Sequence, residues 1–309
     1  MKLSAVASTL ILSFACALTA WGGIYRWTDA EGRAQFGDRP PLDAGTGAQE
    51  LSERYRGREI PFRFQIIPVG CDIPPDTRVK VEVAVSKIYE ILSSRLGLRF
   101  SSDPSFDIRI FKDKESYANY GEGPPLAGLA SGYYLPDRNE AVTWRQRSFE
   151  EMIQVIAHEA THALMRHRFG KVPPWLNEGL SEYFERMGVF GKAVVIHPNR
   201  EWDEIVRQKI RDGSIVPLRE YLALSQQAWQ MHDFPDNGSY AQAWSLIHFL
   251  MSTPEGTRLL GRLLDSLDRV GVEDFSAEDI IDAEFDGGLA ALQTRWLAWV
   301  LGPKKAHHY

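Results

Sequence analysis

The sequence predicts an α+β fold, and three observations carry the prediction. Short runs of β-branched and aromatic residues, separated by turn residues, fall before residue 145. From residue 149 onward apolar residues recur at helical spacing in one segment after another. The composition, 44% hydrophobic and 25% charged over 309 residues, is that of a globular chain with one or two domains. Strands first and helices second place a sheet against a helical half.

The elements follow in order. Lys2 precedes an apolar, small-residue run, Leu3 to Ala20, and Ala20-Trp21-Gly22 has the small-x-small pattern of a cleavage site. Residues 1–22 therefore read as a signal peptide. A membrane helix is the weaker reading, because Ser8, Thr9, Ser13 and Thr19 interrupt the run and no basic cluster follows it. The expectation is an exported protein, periplasmic or secreted, with no membrane partner after the signal is removed. Cys16 leaves with the signal, so Cys71 is alone and can form no intramolecular disulfide. A net charge of −6 disfavours nucleic acid as a partner.

Residues 23–41 read as a small hairpin around Asp29-Ala30-Glu31-Gly32. Tyr25, Trp27, Asp29, Gly32, Asp38, Pro40 and Pro41 resemble a domain of unknown function found behind the signal peptide of exported bacterial proteins. Residues 42–60, rich in Pro, Gly and charge, read as a linker. The main domain is expected over 61–302. Strands are predicted at 62–69, 106–111, 129–134 and 141–144, with a long helix over 76–96. Helices are predicted at 149–168, 174–187, 202–212, 218–230, 240–252, 256–269 and 288–301. Residues 303–309 read as a polar tail.

The chemistry begins at Ile156-Ala157-His158-Glu159-Ala160-Thr161-His162, an H-E-x-x-H on an apolar helix. Four residues return a helix to within ~40° of the same face, so His158 and His162 can offer two imidazoles to one ion. Glu159 lies one step round, close enough to reach a water there without ligating the ion. Two histidines need a third protein ligand to leave one open position on a catalytic zinc. Pro173-Pro174-Trp175-Leu176-Asn177-Glu178-Gly179-Leu180-Ser181-Glu182 supplies Glu178, early in a second helix that starts on prolines. Glu182 shares its face and is expected to accept the free N–H of a ligand histidine.

H-E-x-x-H followed by Trp-Leu-Asn-Glu-Gly-Leu resembles the gluzincins, the clan of thermolysin and aminopeptidase N, and in particular the peptidase-MA-like domains of exported bacterial proteins. The resemblance implies a thermolysin-like zincin fold, Zn²⁺ on His158, His162 and Glu178, and Glu159 as base. The chain departs from that pattern twice. The spacing to Glu178 is shorter than in thermolysin, which implies a compact connector. The Gly-Ala-Met-Glu-Asn signature of aminopeptidases is absent, so a free amino terminus has no evident anchor. A metzincin is excluded, since Met165 and Arg168 stand where it needs Gly and His.

Tyr240 opens a later helix and is either the donor to a developing oxyanion or a core tyrosine. His232 is the alternative donor. The segment 128–144, just before the active-site helix, could pair with an extended substrate. The function expected is a zinc metallopeptidase acting on a peptide or protein. A non-catalytic binding module and a zinc amidase for cell-wall material are the alternatives.

Overall fold

The computed structural model describes residues 63–100, 103–120, 130–233 and 237–309, together with the backbone of 25–28, 34–37 and 49–50. The side chains of 230–233 are outside that description, as is the stretch read as a signal peptide. The chain divides after Arg58 into two compact units.

In the first unit β1 (Tyr25–Thr28) pairs antiparallel with β2 (Ala34–Gly37) in the register Tyr25 to Gly37. This is the expected hairpin. Within the stretch read as a linker, β3 (Gln49–Glu50) adds to the other side of β1.

The second unit is α+β, with a mixed sheet. β4 (Arg63–Val69), β5 (Ser105–Phe111), β6 (Gly132–Leu135) and β7 (Glu140–Trp144) stand in the order β4-β5-β7-β6. β4, β5 and β7 run parallel, and β6 turns back antiparallel at the edge. The turn between β6 and β7 has Asn139 at φ 54°, a conformation asparagine tolerates. α1 (Pro75–Glu90) passes into a π-helical turn, Ile91–Arg95, so the helix predicted over 76–96 changes pitch in its last third. A short α2 (Lys114–Ala118) follows β5, capped by the Asp113 carboxylate.

The helical half starts with α3 (Phe149–Phe169). Ser148 caps it by accepting from the Glu151 N–H, and Glu150 and Glu151 lie at its positive end. Gly170, at φ 70°, ends it. Four residues later α4 (Pro174–Glu185) begins with proline in its first turn, the compact connector that the spacing requires. A second, small sheet holds β8 (Met187–Phe190) and β9 (Ala193–Ile196), joined by β10 (His307–His308). The stretch read as a polar tail is therefore partly structured: Tyr309 exchanges backbone bonds with Val194, and His307 Nδ1 and the Tyr309 hydroxyl each lie 2.7 Å from the Tyr183 hydroxyl.

The remaining helices are α5 (Arg200–Arg211), α6 (Leu218–Leu222), α7 (Gln226–Asp233), α8 (Gly238–Met251), α9 (Pro254–Val270), α10 (Ala277–Glu284) and α11 (Gly288–Leu301). The single helix predicted over 218–230 is two, because the Ser225 hydroxyl accepts from the Ala228 N–H and restarts the chain there. α8 is apolar all round and buried along nearly its whole length. Its neighbour is α4, and Gly179 sets how near they come. A Cβ there would stand 2.7 Å from Ile247 Cγ1 and 3.0 Å from the Ala243 carbonyl oxygen.

Gly179→Val should therefore destabilise the fold by about 1–3 kcal/mol, the usual size of an overpacking penalty. A urea melt reads it. An unchanged midpoint would mean that α8 retreats from α4 at no cost.

Candidate metal centre

α3 and α4 bring the sequence-predicted residues together. His158, Glu159 and His162 project from the middle of α3, and Glu178 from the second turn of α4. Glu178 Oε2 lies 3.7 Å from His158 Nε2 and 3.6 Å from His162 Nε2. Ligand atoms about 2.1 Å from a tetrahedral zinc stand about 3.4 Å apart, so the spacing suits one ion. The three side chains are about 15% exposed and face an open cleft of about 1230 Å³.

The other ring nitrogens are occupied. His158 Nδ1 is 2.9 Å from Glu185 Oε2, and His162 Nδ1 is 3.2 Å from the Ser181 hydroxyl. An Nδ1–H donated to these partners leaves the Nε2 lone pair directed into the cleft, which is the state a metal needs. The carboxylate that holds His158 is thus Glu185, not Glu182 as expected. Glu182 is buried, and its Oε2 accepts from the Trp202 indole N–H on α5 at 2.6 Å. Both acids flank His158, one bonded to it and the other to the indole.

Charge in this corner is lopsided. Burial pushes the Glu159 carboxyl up to about 8, against the pull of His158, and the Glu178, Glu185 and Glu182 carboxylates push it further. Burial, with Glu185 alongside, raises Glu182 as well. Burial alone would lower His158, but the hydrogen bond and charge of Glu185 hold it well above the ordinary range. Burial lowers His162. Two buried carboxyls raised in this way, beside two imidazoles whose Nε2 atoms both face Glu178 Oε2, make a donor set that a divalent cation would satisfy.

Glu159 is 5% exposed and packs under the edge strand. A Cβ on Gly132 of β6 would stand 2.8 Å from Glu159 Oε1 and 2.6 Å from Val155 Cγ1. Glycine at 132 is what lets the edge strand lie against this carboxylate. Sequence reading placed a strand here but not that glycine.

Tyr240, on α8, lines the same cleft, with its ring edge-on to Trp229 at 5.7 Å. The side chain of His232, the alternative donor, lies outside the described residues. His248 is in the core, where burial lowers it to about 3 and the rings of Tyr183, Trp244, Trp299 and His307 surround it.

Residues 152–263 match the family described as Protein of unknown function (DUF1570). That span contains His158, Glu159, His162, Glu178, Glu182, Glu185 and Tyr240, and leaves Gly132 outside. Residues 11–90 match Domain of unknown function (DUF4124), which covers the N-terminal hairpin. No curated protein matches the chain.

If Glu185 orients His158, Glu185→Gln should weaken zinc binding 10- to 100-fold with the fold intact, the usual effect of losing such a partner. Competition against a zinc-sensitive dye measures it. Glu182→Gln should matter less, since its amide oxygen can still accept from Trp202. Equal losses in the two variants would return the orienting role to both acids.

Proposed function

We propose that this chain is an exported zinc metallopeptidase with a thermolysin-like zincin fold, of the gluzincin type, acting on peptide or protein substrates. The observation that carries the reading is the arrangement of His158, His162 and Glu178 around one point of an open cleft, with Glu159 buried beside it. The edge strand along the cleft supports it, because an extended peptide can lie against such an edge.

His158, His162 and Glu178 would hold the metal. Bound there, zinc supplies a Lewis acid for a carbonyl oxygen and lowers the pKa of a water toward ~7. Glu159 then acts as proton carrier. Its carboxylate takes the proton from the water that attacks the scissile carbonyl carbon and delivers it to the departing amine nitrogen. Its place beside the three ligands, buried at the wall of the cleft, puts it within reach of a water held there. Gly132 lets the edge strand lie against this carboxylate from the strand side. The Tyr240 hydroxyl would donate to the carbonyl oxygen as negative charge grows on it.

Glu159→Gln should keep zinc and lose at least ~10²-fold in turnover on unfolded protein, because the amide cannot accept the proton. Parental turnover with full zinc would remove Glu159 from the role. Tyr240→Phe should lower kcat by ~10²–10³ with KM little changed. Turnover per folded, zinc-loaded molecule is the quantity to compare. A value within about threefold of the parent, far less than the loss of an oxyanion donor brings, would make Tyr240 a structural residue only.

A further inference from the structure

One more charged side chain stands on the ligand face of α3. His158, His162 and Arg166 are successive i, i+4 positions, and all three line the cleft. The last turn of α3 carries three basic residues, Arg166, His167 and Arg168. Cations at a helix C-terminus have a general electrostatic reason to be there. The other two are otherwise engaged. Arg168 is paired with Asp268 on α9, and the His167 ring lies tilted against Phe100 at 6.4 Å. Arg166 has no carboxylate partner among the described residues. Its guanidinium donates one bond, 2.6 Å long, to the Gly170 carbonyl at the end of its own helix. That bond steadies the fork and leaves its other N–H groups free for a ligand.

The strand opposite sets the register. Gly132 and Tyr134 are on the same face of β6, two residues apart. Gly132 meets Glu159, and Tyr134, one step further along the strand, lines the cleft together with Arg166. Arg166 stands one helical turn beyond His162, about 6 Å along the axis. An extended chain covers about 3.3 Å per residue, so a peptide along β6 would bring its second or third residue from the reacting bond to Arg166. The same end of the cleft holds Lys171, loosely tied to Glu273 at 3.5 Å, above Val172, Pro173 and Phe275.

We infer that Arg166 makes this end of the cleft a subsite for a carboxylate of the substrate, two or three residues from the bond that is cut. The inference rests on the peptidase reading only in requiring that the cleft take an extended peptide. The carboxylate could be an Asp or Glu side chain or the end of the substrate chain. A planar guanidinium can bind either with two parallel hydrogen bonds.

The test uses the full zinc-loaded chain and fluorogenic peptides blocked at both ends, with Glu, Gln or Lys placed in turn at each of three positions on either side of the cleaved bond. A second set is neutral but ends in a free carboxylate at the same distances. The parent should favour Glu over Gln at one position by about fivefold, the size of a solvent-screened ion pair, and less at high salt. That ratio should fall to about one in Arg166→Gln and reverse toward Lys in Arg166→Glu, as an ion pair exchanged for its opposite requires. A preference confined to the free-carboxylate set assigns the group to the chain end. The same peptides are titrated against Glu159→Gln by fluorescence anisotropy. Cleavage with no acid preference, or with one that persists in Arg166→Gln, overturns the inference and leaves the peptidase reading standing. Acid-selective binding without cleavage by the parent supports the subsite and overturns the peptidase reading. Neither cleavage nor binding overturns both.

Discussion

Four glutamates from two helices crowd around two imidazoles at the wall of one cleft, and the rest of the molecule is arranged to keep them there. Glu159 comes from α3, and Glu178, Glu182 and Glu185 come from α4. Burial opposes the ionisation of Glu159 and Glu182, and the neighbouring carboxylates add to it. Such a cluster persists only where packing elsewhere over-determines the position of the two helices. The packing is dense on both sides. α4 is pressed from behind by the buried α8, and α3 carries the edge of the sheet on its other flank.

Two glycines make that packing possible, and each works by what it lacks. At Gly179 a side chain would meet Ile247 and the Ala243 carbonyl, so α4 and α8 would have to separate and Glu178 would move with α4. At Gly132 a side chain would strike Glu159 itself. The first glycine sets where a ligand stands. The second sets where Glu159 stands relative to β6. Trp202 reaches the cluster from α5. It donates to Glu182, while Glu185, close by, bonds His158.

The parts of the centre that were legible in the sequence are those fixed by helix geometry alone. His158 and His162 share a face because they are four residues apart, and Glu178 faces them because prolines start α4 after a short connector. Glu185 was not legible. Helical spacing puts both Glu182 and Glu185 within reach of α3, and an indole from α5 bonds the one that His158 does not. Gly132 was hidden for a like reason, since the need for glycine arises only when β6 meets α3. Strand and helix order followed from periodicity, but α10 and the small sheet β8-β9-β10 did not. Their segments are short, and β10 gains its partner from more than a hundred residues away. Cys71 is half-buried with its thiol 3.6 Å from the Ile110 carbonyl, as an ordinary packed residue would be.

The two histidines are not equivalent. His158 gives its Nδ1–H to a carboxylate, which strengthens the lone pair on Nε2 and fixes the ring plane. His162 has a neutral hydroxyl at 3.2 Å in the same position, a weaker partner that polarises the ring less. Burial accordingly leaves His162 depressed, while Glu185 carries His158 the other way. A cation shared between them would draw more electron density from His158. His162 and Glu178, 3.6 Å apart, would complete the site chiefly through their position. The ring that carries the stronger partner is also the one beside Glu159 in sequence. The histidine with the weaker partner, His162, is also the one nearer Arg166 along α3.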